Sequence, residues 1–422
     1  MHPVGLYFLI SLLKHNGFEV HFFNCLERSP ASKSKRFSTG NFECREFPKP
    51  EIYRLILRHY KLYGQSQEAF ASFLSSLRPP EVIFIGSQMT YWLPGLIETV
   101  RFVKGYFPLI PMVIGGISAK LIPGNISAAL PGAHIFQGSL FEQSSMNASG
   151  IPTLSGLCSK NWEPSLIDAY KCFSFAFHGP VLSSLGCPGR CSYCASAVLQ
   201  ERFVIRKADT IADEIEYLRG RFNVGHFAFV DDALLHSPEQ NFILLMKTLL
   251  RRRLNFRFHT PNGLQVTQLS PEICALMKET GFRTLRFGYE SSDFRYLRDT
   301  KAKASRNDLA LKIKLVKEYG FSGGDVGVYV MAGFPGQSPD DVTREIEFVA
   351  SLAVSIKPVF LSPVPQTKLF EHYRTDFPEL AIDPLWHNDT FFISRLPGWN
   401  ATAVQQVIDA AKKNNAQLDT KQ

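Results

Sequence analysis

Three cysteines, Cys187, Cys191 and Cys194, stand in a Cys-x3-Cys-x2-Cys loop directly after the short apolar run Val181–Gly186. Three thiolates on one tight loop can converge on one metal centre. A structural zinc site closes with four ligands, and no fourth Cys or His lies within the short spacing such sites use. A cubane iron–sulfur cluster held by three cysteines instead leaves one iron open to a substrate or cofactor. An electron-transfer or scaffold protein, the non-enzyme alternative, would normally supply the fourth ligand. Tyr193, just before the last cysteine, can pack against a cofactor beside the cluster. The other five cysteines, Cys25, Cys44, Cys158, Cys172 and Cys274, are scattered and are expected to be small buried hydrophobes. Clustered thiols without a disulfide framework point to a reducing compartment, so a cytoplasmic protein is expected.

The chain has 422 residues, 45% of them hydrophobic, enough for a large core and more than one average domain needs. Its charge of +8, from 46 Lys+Arg against 38 Asp+Glu, permits nucleic acid without demanding it. The basic run Arg251–Arg257 closes a helix-like stretch, where cations complement the helix dipole. No stretch has the apolar length of a bilayer span, and the best candidate, 108–124, is broken by Pro108, Pro111, Gly115, Gly116 and Pro123. The apolar start lacks the basic n-region and small-residue cleavage site of a secretion signal. It reads as a helix over Val4–His15, ended by Asn16-Gly17, then a strand over 18–23. Helix then strand is the second half of a βαβ unit. An earlier strand is therefore expected upstream of Met1, or the domain is pared down.

Residues 28–50, with Lys33, Lys35 and Arg36, read as a solvated loop, and 51–77 as a helix. Apolar strands follow over 81–90 and 112–116, with a helix over 94–105 between them. Alternating strands and helices predict a parallel sheet covered on both faces, with ligands outside the carboxyl ends of its strands, at Gly86–Thr90 and Gly115–Ile117. Weak periodicity over 138–176 predicts a connection between domains. Beyond it, strands are expected over 181–186, 226–231, 256–260, 284–289, 326–331 and 358–362. Helices are expected near 209–221, 238–252, 270–280, 305–319 and 338–353. In such barrels the carboxyl ends of the strands carry the chemistry. An acid ending an apolar strand, as Glu290 does, marks function, because it would otherwise be an unpaired buried charge. Asn262 follows the third strand, facing a pocket or simply forming a turn.

The cysteine loop with Tyr193 before Cys194 resembles the signature of the radical S-adenosylmethionine (radical SAM) superfamily. The six strand–helix units resemble that family's partial (β/α)6 TIM-like barrel. The resemblance implies a 4Fe-4S cluster on Cys187, Cys191 and Cys194, whose open iron chelates the amino and carboxylate groups of S-adenosylmethionine. One electron then cleaves the cofactor's C–S bond to methionine and a 5′-deoxyadenosyl radical, which abstracts hydrogen from substrate. It also implies cofactor contacts for Tyr193, for Asp231 and Asp232 at the second strand end, and for Glu290 and Ser291 in Gly288-Tyr289-Glu290-Ser291. Gly333 and Pro335, in Gly333-Phe334-Pro335-Gly336, resemble the turn beside the adenine. The usual Gly-Gly-Glu is absent at Asp231-Asp232, and Gln366 stands where many relatives have glycine.

The N-terminal part resembles the doubly wound, Rossmann-like cobalamin-binding domain of one branch of the superfamily, through Pro3–Leu6 and its helix, Gly86–Thr90 and Val113–Gly116. Asp383–Asn388 near the end adds to the likeness. Ser87, Met89, Thr90, Gly115 and Gly116 are the candidates for cobalamin. The Asp-x-His-x-x-Gly motif is absent, so no histidine is nominated for cobalt, and Gly138-Ser139-Leu140 departs from the commoner Gly-Glu-Gly. The expected organisation is a cobalamin-binding-like domain over 1–140, a linker over 141–176, a radical SAM core over 177–362 and a C-terminal extension over 363–422. The function implied is cobalamin-dependent methylation of an unactivated carbon. Alternatives are rearrangement or cyclisation without cobalamin, and RNA modification. Tandem cluster cysteines and an RNA-binding barrel, which RNA methylthiotransferases carry, are not found in this sequence. Expected partners are a small-molecule or peptide substrate and a reductant such as flavodoxin or ferredoxin, with no membrane and no nucleic acid. Pocket residues are expected from 261–268, 291–304 and the aromatic-rich 363–400.

Overall fold

The computed structural model describes residues 2–28, 37, 40–54, 56, 59–160, 162–254, 256–292 and 304–419. Lys33, Lys35, Arg36, Asn255 and most of 291–304 lie outside them. The chain divides into one unit of 1–177 with 372–387, and a second of 178–371 with 388–422.

In the first unit, α1 (Val4–His15) has the expected bounds, and its buried Leu9, Leu12 and Leu13 join Val113 in one core cluster. Three parallel strands, β1 (Ile83–Gly86), β2 (Met112–Gly115) and β3 (His134–Ile135), pair in that order, with α2 (Leu93–Tyr106) between the first two. Residues 18–23, expected as a strand, join no sheet. Phe18 and Val20 still pack against the core, because alternating hydrophobicity reports a half-buried extended chain, while a ladder also needs a neighbour in register. The helix expected over 51–77 is also corrected. Among the described residues of this stretch only Gln67–Ser75 is α-helical, preceded by a 3-10 turn at Glu51–Tyr53 and a strand, Lys61–Tyr63, paired antiparallel with Cys44–Glu46. Gly64 breaks the run: its φ is +133°, and a Cβ there would lie 2.3 Å from the Cys25 carbonyl oxygen. Residues 141–176, read above as a connection, hold three short helices, and Met146, Ile151, Leu154 and Leu157 lie in the same core as Leu12.

The second unit is built on six parallel strands: β4 (Gly179–Val181), β5 (His226–Phe229), β6 (Arg257–His259), β7 (Phe282–Glu290), β8 (Val326–Ala332) and β9 (Ser355–Phe360). They lie side by side in sequence order. Helices α3 (Ala208–Phe222), α4 (Phe242–Arg251), α5 (Pro271–Thr280), α6 (Arg306–Glu318) and α7 (Pro339–Ser351) follow β4 to β8. The expected run over 181–186 is split: β4 joins the sheet, while Ser184–Leu185 turns away to pair antiparallel with Val204–Ile205. Strand side chains alternate between faces. Phe227, Phe229, Phe258 and Phe282 point to the helix side, where the Phe229 and Phe282 rings stack at 5.5 Å and Phe242 of α4 meets Phe282. Each fully buried ring contributes about 2–3 kcal/mol of hydrophobic burial. At β9, the last strand, Asn415 of α8 (Ala401–Asp419) donates its amide to the Ile356 carbonyl and accepts from the Ile356 N–H. The side chain thus satisfies backbone groups that an edge strand leaves unpaired.

Of the five scattered cysteines, only Cys274 is buried. Cys25, Cys44 and Cys158 are exposed and Cys172 is half-buried. A thiol is small enough for surface sites that patterning does not distinguish.

Candidate active site

The cysteine loop leaves β4 and is braced from below. Asp231, 3% exposed, accepts four hydrogen bonds on Oδ1, from the backbone N–H and the hydroxyl of both Ser183 and Ser184. Burial pushes its carboxyl up, and those donors oppose the shift. Its Oδ2 is buried with no hydrogen-bond partner. Arg206 adds a second brace: its backbone N–H donates to Ser183 O and its guanidinium to Leu182 O. The same guanidinium pairs bidentately with Glu214 of α3, both side chains being under 5% exposed.

Within the loop, Cys187 and Cys191 are half-buried and Cys194 exposed. The Gly189 N–H points at Cys187 Sγ at 3.4 Å and the Ser196 N–H at Cys194 Sγ at 3.5 Å. A Cβ on Gly189 would lie 3.3 Å from Cys187 Sγ and 3.9 Å from Cys191 Sγ, so glycine keeps the space between two sulfurs open. All three thiols act electrostatically on Tyr193, which faces them together. Among the described residues, no three His, Cys, Asp or Glu side chains are gathered tightly enough to share one ion.

Tyr193 ties the loop to two strand ends. Its hydroxyl donates to Glu290 Oε2, and burial holds its phenol protonated by pushing its pKa far up. The Phe334 ring, after β8, meets it edge-on at 5.9 Å. Leu369 N–H also donates to Ser192 O. Glu290 is brought to this position by an irregularity in β7: the β7–β8 register slips between Gly288 and Glu290, and Glu290 takes φ +67°. Bulges beside active sites re-aim side chains, and a left-handed non-glycine residue stores strain. Tyr289 turns the opposite way and donates to Glu345 Oε2 at 2.8 Å, while Ser292 and Arg306 bond Glu345 Oε1. Ser291 is buried beside Glu290.

After β8, Gly333 has φ +103°. Gln337, 3% exposed, accepts the Gly333 and Phe334 N–H groups and donates to Met331 O, holding the Gly333–Gly336 turn. Replacing Gln337 with Ala leaves two buried N–H groups unpaired, so a loss of about 1–3 kcal/mol is expected in denaturant unfolding, with iron content unchanged. Gln366 adopts φ +66°, so the turn keeps the backbone a glycine would take.

The structure therefore gathers Cys187, Cys191, Cys194, Tyr193, Glu290 and the Gly333–Pro335 turn. Asp231 faces the serines. Asp232 is exposed and within electrostatic reach of Cys187. Asn262 donates to Val230 O and Asp231 O. Sequence reasoning missed Gln337, Glu345 and Glu214. Glu345 carries a usable signal, since it interrupts the buried stripe Val342, Ile346, Val349 of α7.

In the first unit, Ser87, Gly115 and Gly116 meet at the ends of β1 and β2. Gly116 has φ +93°, and a Cβ there would lie 2.5 Å from Ser87 O, whereas one on Gly115 would meet nothing within 4 Å. Beside them Ser118 Oγ is buried with no hydrogen-bond partner. Met89 is exposed. Thr90 is committed elsewhere: its hydroxyl bonds His387 Nδ1, whose Nε2 bonds Leu380 O. Open backbone at Gly115 and the unpaired Ser118 hydroxyl fit a bulky ligand with polar substituents.

Residues 181–349 match the Radical SAM superfamily. An uncharacterized methyltransferase of Pyrococcus horikoshii, PH0819, is 23% identical over 208 residues, 49% of this chain and 44% of that protein. Cytidylyl-2-hydroxyethylphosphonate methyltransferase of Streptomyces wedmorensis is 23% identical over 256 residues, 57% of this chain and 46% of that one. The chain thus spans under half the length of both relatives. The radical S-adenosylmethionine methyltransferase TsrM of Kitasatospora setae, solved with tryptophan substrate and an S-adenosylmethionine analogue, superposes with TM-score 0.68 at 14% identity, over 98% of this chain and 86% of that one. At that identity the likeness concerns the fold, and it is the fold expected above: a cobalamin-binding-type domain followed by a radical SAM barrel. No helix among the described residues is long and apolar enough to cross a membrane. The cysteine loop and the strand ends that Tyr193 joins lie within or beside the stretch, residues 181–349, that matches the radical SAM superfamily.

Proposed function

We propose that the chain is a radical SAM enzyme that methylates a small-molecule substrate with the help of cobalamin. The observation that carries this is the opening between Cys187 and Cys191 at Gly189, faced by a Tyr193 that is bonded to Glu290. When bound, the 4Fe-4S cluster with S-adenosylmethionine supplies one-electron radical chemistry, and cobalamin a carrier for the methyl group.

The chain's own residues do the rest. Cys187, Cys191 and Cys194 bind as thiolates. Glu290, fixed by the Tyr193 hydroxyl, offers a carboxylate to the ammonium group of S-adenosylmethionine. Ser291 lies next to it, and the Gly333–Pro335 turn offers backbone to a flat ring. Asp232, within electrostatic reach of Cys187, would face the cofactor, while Asp231 holds Ser183 and Ser184 ahead of the loop. Ser87, Met89, Gly115 and Gly116 would hold cobalamin, with Ser118 as a further donor. The methyltransferase names of both relatives support methyl transfer.

Anaerobic reconstitution with iron and sulfide is expected to give reductant-dependent cleavage of S-adenosylmethionine. Optical titration with hydroxocobalamin is expected to show stoichiometric uptake. Cleavage without any uptake would remove the methyl-transfer reading and leave the radical SAM assignment standing.

A further inference from the structure

The sheet face turned away from the helices is basic along its amino-terminal half. Alternation and register place His226, Arg257, His259, Thr284, Arg286 and Lys357 on it. The one acid at a strand position of this face among the described residues, Glu290, lies at the opposite, carboxyl end. Three strands share a hydrogen-bonded ladder. Arg257 Nη1 donates to His226 Nε2 at 3.3 Å, which puts the His226 proton on Nδ1. That proton is shared with His259 Nε2 at 2.9 Å, and His259 Nδ1 then donates to Thr284 Oγ1 at 2.9 Å. The ladder works only with neutral imidazoles. Burial and the surrounding cations keep them so, holding His226 below its ordinary value and His259 at about 4. The charged groups acting on the pair from its surroundings are Arg257, Arg283, Arg286 and His178.

Arg286 is laid across β8 by the absence of a side chain at Gly327, where a Cβ would come within 2.9 Å of its Cδ and 3.0 Å of its Nη1. Nη1 is tied to Leu285 O and Asp325 O. A guanidinium fixed over glycine and another set by a histidine ladder form a rigid, pre-ordered array of donors.

We propose that this face binds the anionic group of the substrate, a carboxylate or a phosphoryl or phosphonyl group, and so fixes the substrate's orientation toward the strand ends. The proposal rests on the radical SAM reading for what happens to the bound molecule, though binding itself can be measured without it.

The test uses the reconstituted full chain at constant ionic strength, with inorganic phosphate, methylphosphonate and acetate as probes in equilibrium dialysis. Saturable binding is expected, weakened tenfold or more in Arg257→Gln and in Arg286→Gln, and unchanged in Arg251→Gln, an exposed residue at the end of α4. Arg257 is exposed and its guanidinium bonds the His226 ring, so its variant keeps the test sound should Arg286→Gln fail to fold. Competition by acetate at equal strength assigns a carboxylate; phosphate and methylphosphonate binding that acetate does not displace assigns a phosphorus oxyanion. Non-saturable uptake, or unchanged affinity in Arg257→Gln and every folded Arg286→Gln sample, overturns the site. Reductive cleavage of S-adenosylmethionine, measured in parallel on wild type, separates failure of this site from failure of the radical SAM reading.

Discussion

Replacing Cys191 with Ala is expected to abolish, together, the broad visible absorbance of an iron–sulfur protein and reductive cleavage of S-adenosylmethionine. Three thiolates already leave one coordination position open, and two cannot hold a cubane while presenting the same open iron. Cys191 is the informative choice. It stands across Gly189 from Cys187, acts most strongly of the three on Tyr193, and lies in the loop outside the helices and strands. The variant should therefore unfold at the same denaturant concentration as the apoprotein while reconstituted iron falls to background. Cleavage surviving the substitution would sink the assignment of the cluster to this loop. Glu290→Gln makes a graded companion: iron retained, with S-adenosylmethionine binding weakened by the loss of one charge-assisted contact, about 1.5–3 kcal/mol or a ten- to hundredfold rise in Kd.

The largest effect on stability is expected at Glu214. Its carboxylate and the Arg206 guanidinium are both almost fully buried and bonded twice. Removing one partner strands a buried charge, which costs about 3–5 kcal/mol. Glu214→Ala should lower the unfolding free energy obtained from guanidinium denaturation by that amount, and should lower cluster occupancy as well, since Arg206 also holds Leu182 O and Ser183 O at the foot of the cysteine loop. The double variant Arg206→Met/Glu214→Leu removes both charges and should recover most of the stability but not the loop's tether. A single variant as stable as wild type would mean that the pair is solvated and contributes nothing.

Much of the barrel was legible because its signals are local. A period near two over 326–331 and near 3.6 over 338–353 placed β8 and α7 within two residues of their ends. Ser338, with Asp341 three residues on, closes a capping box that starts α7 where the pattern begins. Glu290 was legible as an acid ending an apolar strand. Its register slip was not, because a bulge depends on which neighbour the strand pairs with. Nor could the pair Asp231-Asp232 be resolved, since which carboxylate turns toward Ser183 and Ser184 is decided by the path of a segment about fifty residues earlier. The first unit was harder for the same reason: residues 18–23 carry a strand's alternation but no ladder.

By itself, then, the sequence determined the kind of chemistry and the order of elements: three cysteines without a fourth, glycine between two of them, and strands alternating with helices. These are statements about covalent spacing and periodicity, which survive in any conformation. Only the tertiary structure decided which side chains converge. Tyr193 finds Glu290 across 97 positions, Gln337 pins the turn after β8, and the arginines and histidines of three strands assemble on one face. Such meetings arise from sheet register and from the burial that drives polar groups to find partners, and neither is written in any single stretch of chain.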